Sequence, residues 1–224
     1  MLALVCAALL GQPAEPRLPD AAEKVALQAT VRVYNAVKSK GGSAVVIGRG
    51  GPAIYLLTSA HVVEQADRVE IHCVNPAGKD GAPRIFKEVA VVARTGAAVD
   101  DLALLRLVAG GEMPAVALCK GDGPAWKAPR AAFSLGFVDG NSPTVSLETI
   151  VKSVMLRKPG ADESAHFWKC QGLPVPGRSG GPLLHPDGTL LGICSGGDGK
   201  ASYYTHLDEI RRFLKRNGLR HLTD

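Results

Sequence analysis

The chain has 224 residues, 46% of them hydrophobic, enough to build one sizeable domain or two small ones sharing a cleft. Its formal charge of +5 gathers towards the C-terminus, at Arg211, Arg212, Lys215, Arg216 and Arg220, where it fits a solvated helix face. With 5% aromatic residues and no basic–aromatic interleaving, the composition argues against a nucleic-acid partner.

Residues 1–11, MLALVCAALLG, form an apolar run followed by the proline-rich QPAEPRLP. The run is too short to span a bilayer and fits the core of a signal peptide, although no Lys or Arg precedes it. Export to a periplasm or the extracellular space is therefore expected, and no later segment reaches the length of an integral membrane span. Residues 1–27 together read as leader and linker, with a short helical turn around Ala21–Leu27.

Glycine and proline then punctuate short apolar, β-branched runs, a pattern of strands and turns. Residues 28–120 predict about six strands: Ala29–Tyr34, Ser43–Ile47, Ala53–Thr58, Arg68–Val74, Phe86–Ala93 and Leu102–Leu107. After GDGPAWKAP at 121–129 the rhythm restarts, though without a sequence repeat. Residues 121–224 predict Ala131–Phe137, Thr144–Leu156, His166–Cys170, Gly181–Leu184, Thr189–Cys194 and Ser202–Thr205. Leu207, Ile210, Phe213 and Leu214 then share one face of a closing helix, with Thr205 and Asp208 at capping-box spacing and Gly218 as its stop. The predicted fold is all-β, with two six-stranded antiparallel β-barrels and a C-terminal α-helix. If Cys6 leaves with a signal segment, Cys73, Cys119, Cys170 and Cys194 remain, as buried thiols or in any of three disulfide pairings. Their spacing matches no metal motif, no HExxH is present, and neither a metal nor another cofactor is expected.

Three stretches carry residues suited to chemistry. In Pro176-Gly177-Arg178-Ser179-Gly180-Gly181-Pro182 one serine stands among glycines, which let bare backbone N–H groups converge on one point. A serine hydroxyl needs a base to take its proton and donors to stabilise the oxyanion it creates. His61, in Leu57-Thr58-Ser59-Ala60-His61-Val62-Val63, follows an apolar strand directly and is a candidate base. Asp101, heading the apolar Leu102–Leu107 strand, is the candidate carboxylate to orient that imidazole, with Asp100 its adjacent competitor.

TSAHVV, DDLALL and GRSGGP, in the order His, Asp, Ser, resemble the trypsin-like (chymotrypsin-fold) serine proteases, and among them the bacterial HtrA/Deg-type peptidase domains. The resemblance covers residues 28–217 and implies a serine endopeptidase whose active site lies between the two barrels. It makes Ser179 the nucleophile, His61 the general base and Asp101 its orienter. The N–H groups of Gly177 and Ser179 become the oxyanion hole, with that of Arg178 as a helper. Ser195, Gly196 and Gly197 become a substrate edge on which an extended polypeptide adds as a strand, Ser195 also supporting Asp101. Leu173 falls near a pocket floor that carries no acid, which favours small or medium apolar residues on the acyl side of the cut. Trypsin's zymogen relatives carry Asp where Arg178 stands, so activation by N-terminal cleavage is not implied. HtrA proteins usually add a C-terminal PDZ domain, which a chain ending after its helix is expected to lack.

Two rivals remain. GRSGG also fits the nucleophile elbow of α/β-hydrolases, but that elbow requires a helix after the serine, and Gly181-Pro182 leads into a strand. The other rival is a protease-like module that binds peptides without turnover. Such modules usually lose a triad residue, and here all three are present.

Overall fold

The computed structural model describes residues 15–74, 83–108, 112–120, 130–138, 140 and 142–223. The apolar run 1–11, with Cys6, and the GDGPAWKAP stretch lie outside the described residues. The first barrel comprises β1 (Thr30–Asn35), β2 (Lys40–Gly50), β3 (Ala53–Ser59), β4 (Arg68–Cys73), β5 (Arg84–Arg94) and β6 (Leu102–Val108). They pair in the order β1-β2-β3-β6-β5-β4, with β4 returning to β1. The second comprises β7 (Arg130–Phe137), β8 (Pro143–Leu156), β9 (Ala165–Cys170), β10 (Pro182–Leu184), β11 (Leu190–Gly197) and β12 (Ser202–His206). Its order, β7-β8-β9-β12-β11-β10 with β10 closing onto β7, is the first barrel's order repeated. The shared rhythm of the sequence is one topology used twice.

The central pair of the first barrel positions the site. β3 (AIYLLTS) and β6 (LALLRLV) consist mainly of buried apolar residues, as strands covered on both faces do. They pair antiparallel without a break from Ala53↔Val108 to Ser59↔Leu102. That register brings the residues just after Ser59 beside those just before Leu102, and Ala60 N–H donates to the Asp101 carbonyl at 3.1 Å. One apolar cluster runs from Val45, Leu57 and Leu105 of the first barrel through Phe133, Leu135 and Ile193 of the second. A smaller one, including Ile150, Trp168, Cys170, Leu191 and Tyr204, fills the second barrel.

Two helices frame the barrels. α1 (Asp20–Ala29) is longer than the turn expected at 21–27. Asp20 and Glu23 sit favourably at its positive end, while Leu18, Ala26 and Ala29 are buried. Part of the predicted linker is therefore packed onto the body, and the first strand starts at Thr30. α2 (Leu207–Arg216) buries Leu207, Ile210, Phe213 and Leu214, the face its periodicity predicts. Its cap differs from the expected one. His206 Nδ1 accepts the Asp208 N–H at 3.1 Å, while Thr205 Oγ1 donates across the barrels to the Asp100 carbonyl at 2.6 Å. Gly218 turns the chain at φ 75°, and Leu219 N–H reaches the Leu214 carbonyl at 3.0 Å. Cys73, Cys119, Cys170 and Cys194 are free thiols. Burial pushes Cys73 up to about 11 and Cys194 up to about 12, leaving both protonated and inert at neutral pH. Among the described residues no helix is long and apolar enough to cross a membrane.

Candidate active site

His61 sits in the turn after β3, with its side chain 37% exposed, and Asp101 sits 1% exposed at the mouth of β6. Asp101 adopts φ 56°, a left-handed turn that aspartate tolerates better than most residues. Its Oδ1 accepts His61's own backbone N–H at 3.0 Å, and its Oδ2 lies 2.8 Å from His61 Nδ1. A carboxylate can only accept, so Nδ1 carries the ring proton and Nε2 is left as the acceptor. Asp100 faces away, towards Arg216 at 3.7 Å, and burial pushes its carboxyl up.

Ser195 completes the surroundings of Asp101. The β11–β12 ladder shifts register between Cys194↔Tyr204 and Gly196↔Tyr203, leaving Ser195 as the bulged residue. Freed from the ladder, its Oγ donates to Asp101 Oδ2 at 2.5 Å.

Ser179 is half-buried on the loop before β10, and both barrels hold that loop. From the second barrel, Gly180 N–H donates to the Cys194 carbonyl at 2.8 Å and Cys194 N–H to the Gly181 carbonyl at 2.9 Å. From the first, Ser43 on β2 gives its N–H to the Ser179 carbonyl at 2.8 Å and its hydroxyl to the Gly177 carbonyl at 2.7 Å. Gly177 at φ 88° and Gly180 at φ 83° admit no side chain. A Cβ on Gly177 would lie 1.9 Å from the Phe137 carbonyl, and one on Gly180 2.1 Å from that of Ser43. The Arg178 N–H, expected as a helper in the oxyanion hole, is committed to the Val175 carbonyl at 3.2 Å. Among the described residues, the N–H groups of Gly177 and Ser179 have no such backbone partner.

Arg178 itself is 4% exposed and points into the second barrel. Its guanidinium donates to the Ser134 carbonyl at 2.7 Å, to Ser146 Oγ at 2.7 Å and to Thr144 Oγ1 at 3.0 Å. Buried Glu148 belongs to the same network. Desolvation pushes its carboxyl up, opposed by the Tyr204 hydroxyl at 3.3 Å and then by the Arg178 charge.

Leu173, expected near a pocket floor, instead stands 61% exposed. Its neighbour Pro174 packs against Gly197, its Cγ 2.7 Å from where a Gly197 Cβ would stand. His206, at the start of α2, is 2% exposed, stacked on the His166 ring at 3.9 Å and against Trp168. Burial and then His166 lower it to about 4, which keeps it neutral and able to cap α2. His166, His206 and Asp208 are the described residues close enough to share a metal ion. Near-parallel rings aim their nitrogens side by side, and His206 Nδ1 already accepts the Asp208 N–H, so the cluster serves the helix cap.

Residues 42–193 match the trypsin-like peptidase domain family. The chain belongs to that family of serine protease hydrolases. The peptidase is 30% identical over 158 residues to a "Probable periplasmic serine endoprotease DegP-like" of Marinomonas sp. (strain MWYL1). The match covers 70% of this chain and 30% of the relative, so the peptidase spans under a third of that protein's length. Among solved structures, the protease Rv3671c from M. tuberculosis in its active form shares the fold, with a TM-score of 0.70 at 22% identity, over 88% of this chain and 84% of that one. The HtrA-type protease AlgW with a tripeptide matches with a TM-score of 0.67 at 24% identity, over 89% and 63%.

Sequence reasoning missed two residues that hydrogen-bond into the candidate site: Ser43, to the Gly177 carbonyl, and Lys158, to Ser195 Oγ. Ser43 is one small polar residue in an apolar strand, and its only signal is a hydroxyl at a position that is fully buried. Lys158 lies in the β8–β9 connection, far along the chain from any motif, with nothing local to mark it.

Proposed function

We propose that the peptidase cleaves polypeptides through Ser179, His61 and Asp101. Ser179 Oγ attacks the scissile carbonyl while His61 Nε2 takes its proton, and Asp101 holds the imidazole's orientation and stabilises its cationic form. The N–H groups of Gly177 and Ser179 receive the developing oxyanion. His61 then protonates the leaving amine, and water activated by the same ring hydrolyses the acyl-enzyme. Substrate lies extended along Ser195, Gly196 and Gly197, with small or medium apolar residues favoured on the acyl side of the cut. Export from the cytoplasm belongs to the same proposal, supported by the periplasmic description of the DegP-like relative.

The observation that carries this reading is the pair of Asp101 oxygens spent on His61, which fixes the ring with Nε2 as its free acceptor. A peptide library profiled by cleavage site tests it. Cleavage after small or medium apolar residues, lost in Ser179→Ala, is expected. No cleavage by folded wild type would favour a peptide-binding module instead.

A further inference from the structure

Lys158 is half-buried beside the substrate edge, in a cleft of about 400 Å³ lined by Leu156–Pro159, Ser195–Asp198 and Tyr203. Its Nζ donates to Ser195 Oγ at 2.9 Å and to the Ala97 carbonyl at 3.1 Å. It lies 4.0 Å from Asp101 Oδ2 and 4.8 Å from the centre of the Phe167 ring. The ammonium thus joins three segments around the dyad: the β8–β9 connection, the bulge in β11, and the β5–β6 connection that carries Asp101.

The donor arithmetic gives this placement a consequence. An ammonium has no acceptor, so Ser195 Oγ must accept from it, and the single hydroxyl proton of Ser195 is left for Asp101. A cation 4.0 Å from a buried carboxylate also offsets part of the negative charge that stabilises an imidazolium on its other side. Burial pulls the lysine below its ordinary range, opposed by Asp101 and Asp100. Other charged groups among the described residues also surround the dyad. Asp100 is set against Arg216, with Glu209 nearby. Arg94 donates to the Val63 and Ala66 carbonyls of the His61 turn, and Glu64 of that turn faces Lys38 at 3.8 Å.

We propose that Lys158 is a positioning residue for the peptidase. It orients the Ser195 hydroxyl onto Asp101 and tempers the charge of that carboxylate where it faces His61. The inference rests on the reading of His61 as the base, yet its test needs no turnover. The low-field proton NMR signal of the His61 Nδ1–H···Asp101 hydrogen bond is followed against pH in wild type, Lys158→Met, Lys158→Gln and Lys158→Arg, with melting curves to establish folding. The midpoint of the transition should rise by roughly half a unit to one unit in the two neutral variants, the scale of a partly screened nearby charge, and stay near wild type in Lys158→Arg. An unchanged midpoint in Lys158→Met and Lys158→Gln would overturn the proposal, as would an equal rise in Lys158→Arg. A rise in a protein whose Ser179 resists a fluorophosphonate would support the role of Lys158 while sinking the hydrolytic reading.

Discussion

At the scale of single residues, adjacent Asp100 and Asp101 have separate jobs because a left-handed turn at Asp101 aims it at His61, while Asp100 faces Arg216. Asp101→Asn should lower kcat by ~10⁴, the scale known for a triad whose imidazole adopts the wrong tautomer. Asp100→Asn should lower it less than about tenfold, since that carboxylate faces Arg216 while Asp101 holds the ring. Steady-state kinetics on one peptide substrate compares the two, and a larger loss at Asp100 would reverse the assignment. Ser43→Ala removes the hydroxyl shared by the Gly177 carbonyl and the Phe137 N–H, at 2.7 and 3.0 Å. It should cost about 1–2 kcal/mol in denaturant melts and, by loosening the loop proposed to bind the oxyanion, about 10- to 100-fold in kcat. The pairing of His61 with Asp101 was legible because both sit in short motifs at strand ends. Ser43 and Lys158 were not, because hydrogen bonds spanning 134 and 37 residues leave no local pattern.

At the scale of elements, strand cores were legible from apolar runs, and their ends moved by a few residues where pairing continued into glycines, as in β2. α1 was under-read because its start has no capping side chain and its buried face is largely alanine. The α2 cap was assigned to Thr205 by spacing, but that hydroxyl is spent on Asp100 and His206 caps instead. This makes a pH prediction. The folded value of His206, about 4, lies below the 6.5 of the exposed side chain, so on acidification the unfolded chain takes up the proton first. Stability should therefore fall as pH drops from about 6.5 towards about 4, by on the order of 2–3 kcal/mol. His206→Asn keeps a capping oxygen but cannot titrate, so its melting temperature should drop less than wild type's between pH 7.5 and 4.5. Equal drops would remove His206 as the cause.

At the scale of the molecule, the two barrels share one apolar cluster and are stitched by hydrogen bonds along the cleft. Ser59 Oγ reaches the Cys194 carbonyl at 2.5 Å, and Thr205 Oγ1 and Ser43 cross the same boundary. The barrels should unfold together, with calorimetric and van't Hoff enthalpies in agreement, and two resolved transitions would contradict that coupling. The two six-stranded sets were legible, but their common strand order could not be read from a sequence without a repeat, because a barrel asks only for alternating burial and turns. The candidate site lies where the barrels meet, since each contributes groups that the other holds in place. Intact-mass spectrometry after fluorophosphonate treatment tests serine-based hydrolysis most directly. One adduct mapped to Ser179, absent in Ser179→Ala and strongly slowed in Asp101→Asn, is the expected result. A folded wild-type protein that takes up no adduct, or an adduct that survives Ser179→Ala, would contradict it.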